Sequence, residues 1–177
     1  MNWYRGNLLV GISLLVTACA SPSIQRQGAS YRITVPANNW TIEFPAAGFK
    51  LADADKSRPY YYLTNDKIGL TVSFDFKRAT QCNSSESCRD YLAKELKDTC
   101  QDKKNWRMAK VGEVFVAENM DGLVVGGFSP KQQHMNAHYV KDGLWLNVHL
   151  TKVNYQEMDR ELFINFIRSL KLGQKTN

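Results

Sequence analysis

Apolar and polar positions alternate most cleanly from Leu70 to Phe76, where Leu70, Val72, Phe74 and Phe76 point one way and Thr71, Ser73 and Asp75 the other. That period of two predicts a strand with one face on a core and one toward water. Weaker alternation predicts strands at Tyr31–Val35, Trp40–Phe44, Gly48–Ala52 and Tyr60–Thr64. The period changes after Asn83. Cys88, Leu92, Leu96 and Cys100 recur at steps of four beside Tyr91, which predicts a helix over 86–103. Its start carries two possible capping boxes, Asn83 with Glu86 or Ser87 with Asp90. Val111–Glu118 and Gly122–Ser129 are predicted strands joined by a turn at Asn119–Gly122.

His134 to Lys152 is predicted to be a hairpin closed by Asp142-Gly143. A two-residue loop sets Tyr139 opposite Leu146, Ala137 opposite Val148 and Met135 opposite Leu150. A three-residue loop would set this apolar row against Trp145, Asn147 and His149, and the pattern rejects it. Asn154–Leu172 is predicted to be a second helix, with Asn154 as N-cap and Gly173 as stop. Its stripe is Tyr155, Met158, Leu162, Phe163, Phe166, Ile167 and Leu170. The expected fold class is α+β, an antiparallel β-sheet covered by two amphipathic helices.

The first residues change the picture of where this domain works. Residues 1–18 begin with one basic side chain, Arg5, and continue into a nine-residue apolar run, Leu8–Val16. That run is too short to span a bilayer and has the length of a signal-peptide core. Val16-Thr17-Ala18-Cys19 resembles the lipobox of bacterial lipoprotein signal peptides. The resemblance implies cleavage after Ala18, acylation of Cys19 and anchorage in a membrane by more than one chain. Ala20 in place of an aspartate resembles outer-membrane sorting in Gram-negative lipoproteins, which implies a periplasm-facing protein. Residues 19–30 are then the lipidated cysteine and a flexible tether reaching roughly 17–20 Å. The globular domain is 31–173 and the tail 174–177.

Export also bears on the cysteines. A disulfide is expected in an oxidising compartment. On the predicted helix, Cys88 and Cys100 stand about 18 Å apart along the axis, beyond bridging distance. Cys82–Cys88 is therefore the expected pair, worth roughly 2–2.5 kcal/mol in the chain-entropy model. Cys100 is left as a core thiol. The net charge of +6 is modest, and no basic run exceeds two residues, so nucleic acid is not an expected partner.

No nucleophile elbow, zinc-protease, phosphate-loop or dinucleotide motif is present, so no catalytic residue and no cofactor is assigned. One constellation remains. His134, Asn136, His138, Trp145, Asn147 and His149 fall on one face of the last hairpin and form the candidate binding face. His134 and His138 are roughly 13 Å apart along a strand and cannot readily share a metal. His149 lies diagonal to each, so a two-histidine site is conceivable, but no third ligand is evident and no metal site is assigned.

The order of elements also resembles the PsbP-like superfamily, an α/β/α sandwich. The likeness lies in Trp40-x-Ile42-x-Phe44-Pro45-x-x-Gly48-Phe49, a mid-chain helix, later strands and a last helix ending Phe166-Ile167-Arg168-Ser169-Leu170. It covers about 31–172. That superfamily includes a photosystem extrinsic protein, a yeast nuclear-import factor and the DcrB lipoproteins. It implies a non-catalytic binding or assembly module and transfers no functional residue. The expected function is a membrane-anchored lipoprotein that binds an envelope or periplasmic protein. Two alternatives stand beside it: an immunity lipoprotein neutralising a periplasmic toxin, and a metal-dependent hydrolase using His138 and His149.

Overall fold

The computed structural model describes residues 22–35, 39–52, 60–99, 106–122 and 131–174. Cys19, Cys100, and all but Gly122 of the strand predicted at Gly122–Ser129 lie outside them. Eleven strands and two α-helices are described: β1 (Ser23–Gln27), β2 (Ser30–Val35), β3 (Trp40–Pro45), β4 (Lys50–Leu51), β5 (Tyr60–Asn65), β6 (Leu70–Arg78), α1 (Ser85–Thr99), β7 (Arg107–Val111), β8 (Val114–Gly122), β9 (Lys131–Lys141), β10 (Leu144–Val153), α2 (Arg160–Ser169) and β11 (Lys171–Gln174). They build two antiparallel sheets. The smaller has the order β1-β2-β3-β11, and the larger β4-β5-β6-β10-β9-β8-β7. The α+β class holds, but the expected single sheet is two.

The main core lies where these two sheets meet. Ile33, Ile42 and Phe44 from the small sheet join Leu63, Val72, Phe74, Met135, Leu146, Val148 and Leu150 from the large one. The apolar stripe of α2 adds Phe163, Ile164, Phe166 and Ile167 to the same core. Phe44 stacks on Phe74 with ring centroids 4.8 Å apart and meets Phe166 at 5.8 Å. One aromatic cluster therefore ties both sheets to α2. Arg160 at the start of α2 holds the buried carboxylate of Glu118 on β8 through Nε at 3.0 Å and a terminal nitrogen at 2.5 Å.

The register of the last hairpin is the predicted one: Tyr139 faces Leu146, Ala137 faces Val148 and Met135 faces Leu150. Asp142 and Gly143 both take positive φ, 51° and 72°, which a type I′ loop requires. The α1 stripe is also as predicted, with Cys88 and Ala93 buried and Leu92 and Leu96 partly so. Its cap differs. Ser84 and Ser87 exchange hydrogen bonds, each hydroxyl accepting the other's N–H at 3.0–3.1 Å. A serine hydroxyl three residues into the helix thus does the work expected of an acidic side chain. Cys82 and Cys88 form the expected disulfide, with Cα atoms 5.0 Å apart.

Four expectations are corrected. Part of the predicted tether is strand: Ser23–Gln27 pairs with β2. Only Ile24 of this edge strand packs on the core, so it leaves almost no apolar pattern. The stretch predicted as one strand, Val111–Glu118, turns at Gly112-Glu113, and β7 and β8 pair across that turn. Gly112 takes φ 61°, which suits the first position of a II′ loop. The turn predicted at Asn119–Gly122 is consequently strand, paired with β9. The last helix is shorter than predicted: Asn154 sits at φ 57° after β10, a 3-10 turn spans Glu157–Asp159, and α2 ends at Ser169. Gly173 is not a helix stop but part of β11, opposite Thr41.

Candidate functional site

The large sheet's second face carries its polar residues in rows that the register fixes. One row runs Tyr60, Asp75, Asn147, His138 and Phe115; the next runs Tyr62, Ser73, His149, Asn136 and Ala117; a third contains Thr71, Thr151, His134 and Asn119. The six predicted residues do share this face. What lies over them divides them into two groups.

His138 and Trp145 are not exposed on this face. They are fully buried beneath the start of α1. Trp145 joins Cys82 and Cys88 in a second apolar cluster, with Tyr91, Leu92 and Val140 packed against it. Tyr91 meets the Trp145 ring edge-on at 6.2 Å, and Lys77 Nζ lies 4.3 Å from that ring's centroid. The bond from Ser85 explains the position of the helix: its Oγ accepts the Val140 N–H at 3.0 Å. The Trp145 indole N–H donates to His138 Nδ1 at 3.2 Å. An Nδ1 that accepts belongs to a neutral imidazole with its proton on Nε2. Burial, then the charges of Arg89 and Lys77, lower the His138 pKa to about 3. Alternation identified the face correctly but carries no record of which end a helix occupies.

His134, Asn136, Asn147 and His149 do line a common space. A cleft of about 320 Å³ opens between them and the α1 residues Leu92 and Leu96. Trp106 and Asn119 complete the far side, and Tyr60, Ser73 and Asp75 the near side. Sequence reasoning missed Trp106 and Asn119, because the β7–β8 turn that brings them here was misplaced. His134 Nδ1 and His149 Nε2 are 2.9 Å apart, and the rings stack with centroids at 5.2 Å. One ring therefore donates and the other accepts. Burial, and then the His134 charge, lower the His149 pKa to about 4. The Asn147 amide donates to Asn136 Oδ1 at 3.2 Å.

Two polar atoms of residues that line this cleft are buried without a hydrogen-bond partner: the acceptor Asn147 Oδ1 and the donor Trp106 Nε1. Unsatisfied buried groups cost about 1–3 kcal/mol each. Among the described residues no cluster of three or more His, Cys, Asp or Glu side chains could hold a metal ion. The structure does not bring together the pair considered for hydrolysis. His149 is bonded to His134, while His138 is turned into the Trp145 cluster. Among the described residues no helix is long and apolar enough to cross a membrane.

No protein-family model matches the chain, and no curated protein matches it in sequence. Solved structures do. A protein from Bacteroides thetaiotaomicron superposes with a TM-score of 0.51 at 9% identity, over 77% of this chain and 46% of its own. This chain therefore spans less than half of that protein's length. A mutant of the protein Mog1 superposes with a TM-score of 0.52 at 9% identity, over 80% of this chain and 95% of its own. LpqN of Mycobacterium tuberculosis, described as involved in cell envelope biogenesis, gives 0.48 at 10% identity, over 86% and 90%. At such identities the likeness concerns fold alone, and the chain is similar to Mog1 in its α+β layout.

Proposed function

We propose that this chain is a lipoprotein, anchored through Cys19 in the outer membrane and facing the periplasm, whose domain binds a protein partner and catalyses nothing. The recognition site is the cleft between α1 and the polar face of the large sheet. One observation carries this reading: the residues that line the cleft include a buried orphan acceptor, Asn147 Oδ1, and a buried orphan donor, Trp106 Nε1. A peptide group presents both an N–H and a C=O and can satisfy both atoms. Leu92 and Leu96 supply apolar contact beside them. The lipobox resemblance supports the anchor, and β1 begins four residues after Cys19, which would hold the domain against the bilayer. An envelope-assembly role and toxin neutralisation both use such a site; the identity of the captured partner separates them.

The test is capture of partners from the native envelope by the full chain and by a variant carrying Asn136→Leu and Asn147→Leu. Replacing both partners of one hydrogen bond with apolar groups of similar size changes stability little, by about 1 kcal/mol or less. The expected result is a folded variant that no longer holds the partner captured by wild type. Identical capture by both proteins would move recognition elsewhere. Stoichiometric metal with turnover of an envelope substrate would replace the reading with hydrolysis. His138 and Trp145 are unsuitable for this test, since changing them removes buried packing.

A further inference from the structure

A second cavity lies away from the cleft, where the small sheet meets the end of β9. It has a volume of about 430 Å³, within the range that holds small organic ligands. Trp40, Ser85, Tyr139, Val140, Lys141, Leu172 and Gly173 line it. Each described polar side chain that lines it can donate. Trp40 Nε1 is buried without a hydrogen-bond partner, and so is the Tyr139 hydroxyl. The Trp40 side chain as a whole is 4% exposed, so this N–H has no bulk water to fall back on. Burial pushes the Tyr139 phenol well above its ordinary pKa, which keeps its proton in place. Ser85 Oγ already accepts the Val140 N–H, which leaves its own O–H to donate. Lys141 adds a positive charge, and no carboxylate side chain is among the described lining residues.

The apolar half of the cavity is equally specific. Leu172 is 45% exposed on the edge strand β11. Val140 and the Trp40 ring continue that surface.

We infer that this cavity binds a small amphipathic carboxylate, with its head group taken by Trp40 Nε1, the Tyr139 hydroxyl, Ser85 and Lys141 and its hydrocarbon part laid along Leu172 and Val140. A carboxylate is acceptor-only and can take several donors at once. The orphaned Trp40 and Tyr139 groups are thereby satisfied together, which neither an amine nor a hydrocarbon would achieve. The inference is independent of the cleft under α1.

The experiment uses the full chain with Cys19→Ser, so that no attached lipid competes. Octanoate, octanol and octylammonium share one apolar body and differ in head group. Each is titrated by calorimetry, with the backbone amide spectrum as a check on folding. The expected result is saturable binding of octanoate, weaker binding of octanol and none of octylammonium. Trp40→Phe and Tyr139→Phe each keep a ring and delete one donor. Hydrogen bonds to charged groups are worth about 1.5–3 kcal/mol, so each variant is expected to weaken octanoate binding roughly tenfold or more. Lys141→Gln should weaken octanoate without affecting octanol. Equal binding of octanoate and octylammonium would overturn the inference. So would unchanged octanoate affinity in both phenylalanine variants, or no saturation by a folded wild type at millimolar octanoate.

Discussion

Phe44→Ala is expected to destabilise the domain by about 3–5 kcal/mol, the cost typical of a fully buried phenylalanine. The site leaves little room for relaxation. Phe44 is held between Tyr31 at 5.6 Å, Phe74 at 4.8 Å and Phe166 at 5.8 Å, on three different elements. Its removal opens a cavity where the two sheets and α2 meet, so the loss includes contacts on every side as well as transfer energy. Phe44→Leu keeps most of the volume and should cost less than half as much. Urea unfolding of the two variants beside wild type checks both values. A loss below 1 kcal/mol for Phe44→Ala would mean that the sheets do not share one core.

Acidification is expected to destabilise the domain by about 2–4 kcal/mol between pH 7 and pH 5. Two histidines cause it. In the unfolded chain both titrate near 6.5; in the folded state His138 titrates at about 3 and His149 at about 4. The unfolded state therefore binds more protons as the pH falls below 6.5. Stability rises with pH between the folded and unfolded values and is lost as pH drops through that window. The first cause at His138 is burial, which disfavours the charged ring. Its Nδ1 accepts from Trp145, so a protonated ring would turn one donor against another. Around it, Arg89 of α1 and Lys77 of β6 add positive charge that protonation must oppose. At His149 burial disfavours charge first, and the His134 imidazole at 2.9 Å adds to it. Denaturant unfolding from pH 7.5 to 4.5 measures the slope. His138→Gln should flatten the part of it due to His138, and an unchanged slope would remove this explanation.

How much of this was legible before the structure differs from element to element. The last hairpin was fully legible, because Asp142-Gly143 restricts the loop to one geometry and the apolar row then has only one acceptable register. The Cys82–Cys88 pair was legible because helical rise excludes Cys88–Cys100 and Cys82 lies six residues before Cys88 in a polar loop. β1 and β11 were not, since each is a short edge strand of mostly polar residues with no face of its own to bury. Their pairing comes from β2 and β3, not from their own sequence. The turn at Gly112-Glu113 was hidden by apolar residues on both sides, which read as a single strand. For the site, alternation placed all six residues on one face. It could not show that α1 seals His138 and Trp145 while leaving Asn136, Asn147 and the His134–His149 pair beside a cleft. That distinction depends on where α1 docks, which Ser85 and the disulfide settle at one end.

The most direct test of the central claim is photo-crosslinking in the living cell from α1. A photoreactive amino acid replaces Leu96, which lines the cleft, or Lys94, which is exposed on the same helix. The expected result is an adduct with one envelope protein from position 96 and none from position 94. Adducts from position 94 alone, or the same adducts from both positions, would contradict recognition in the cleft.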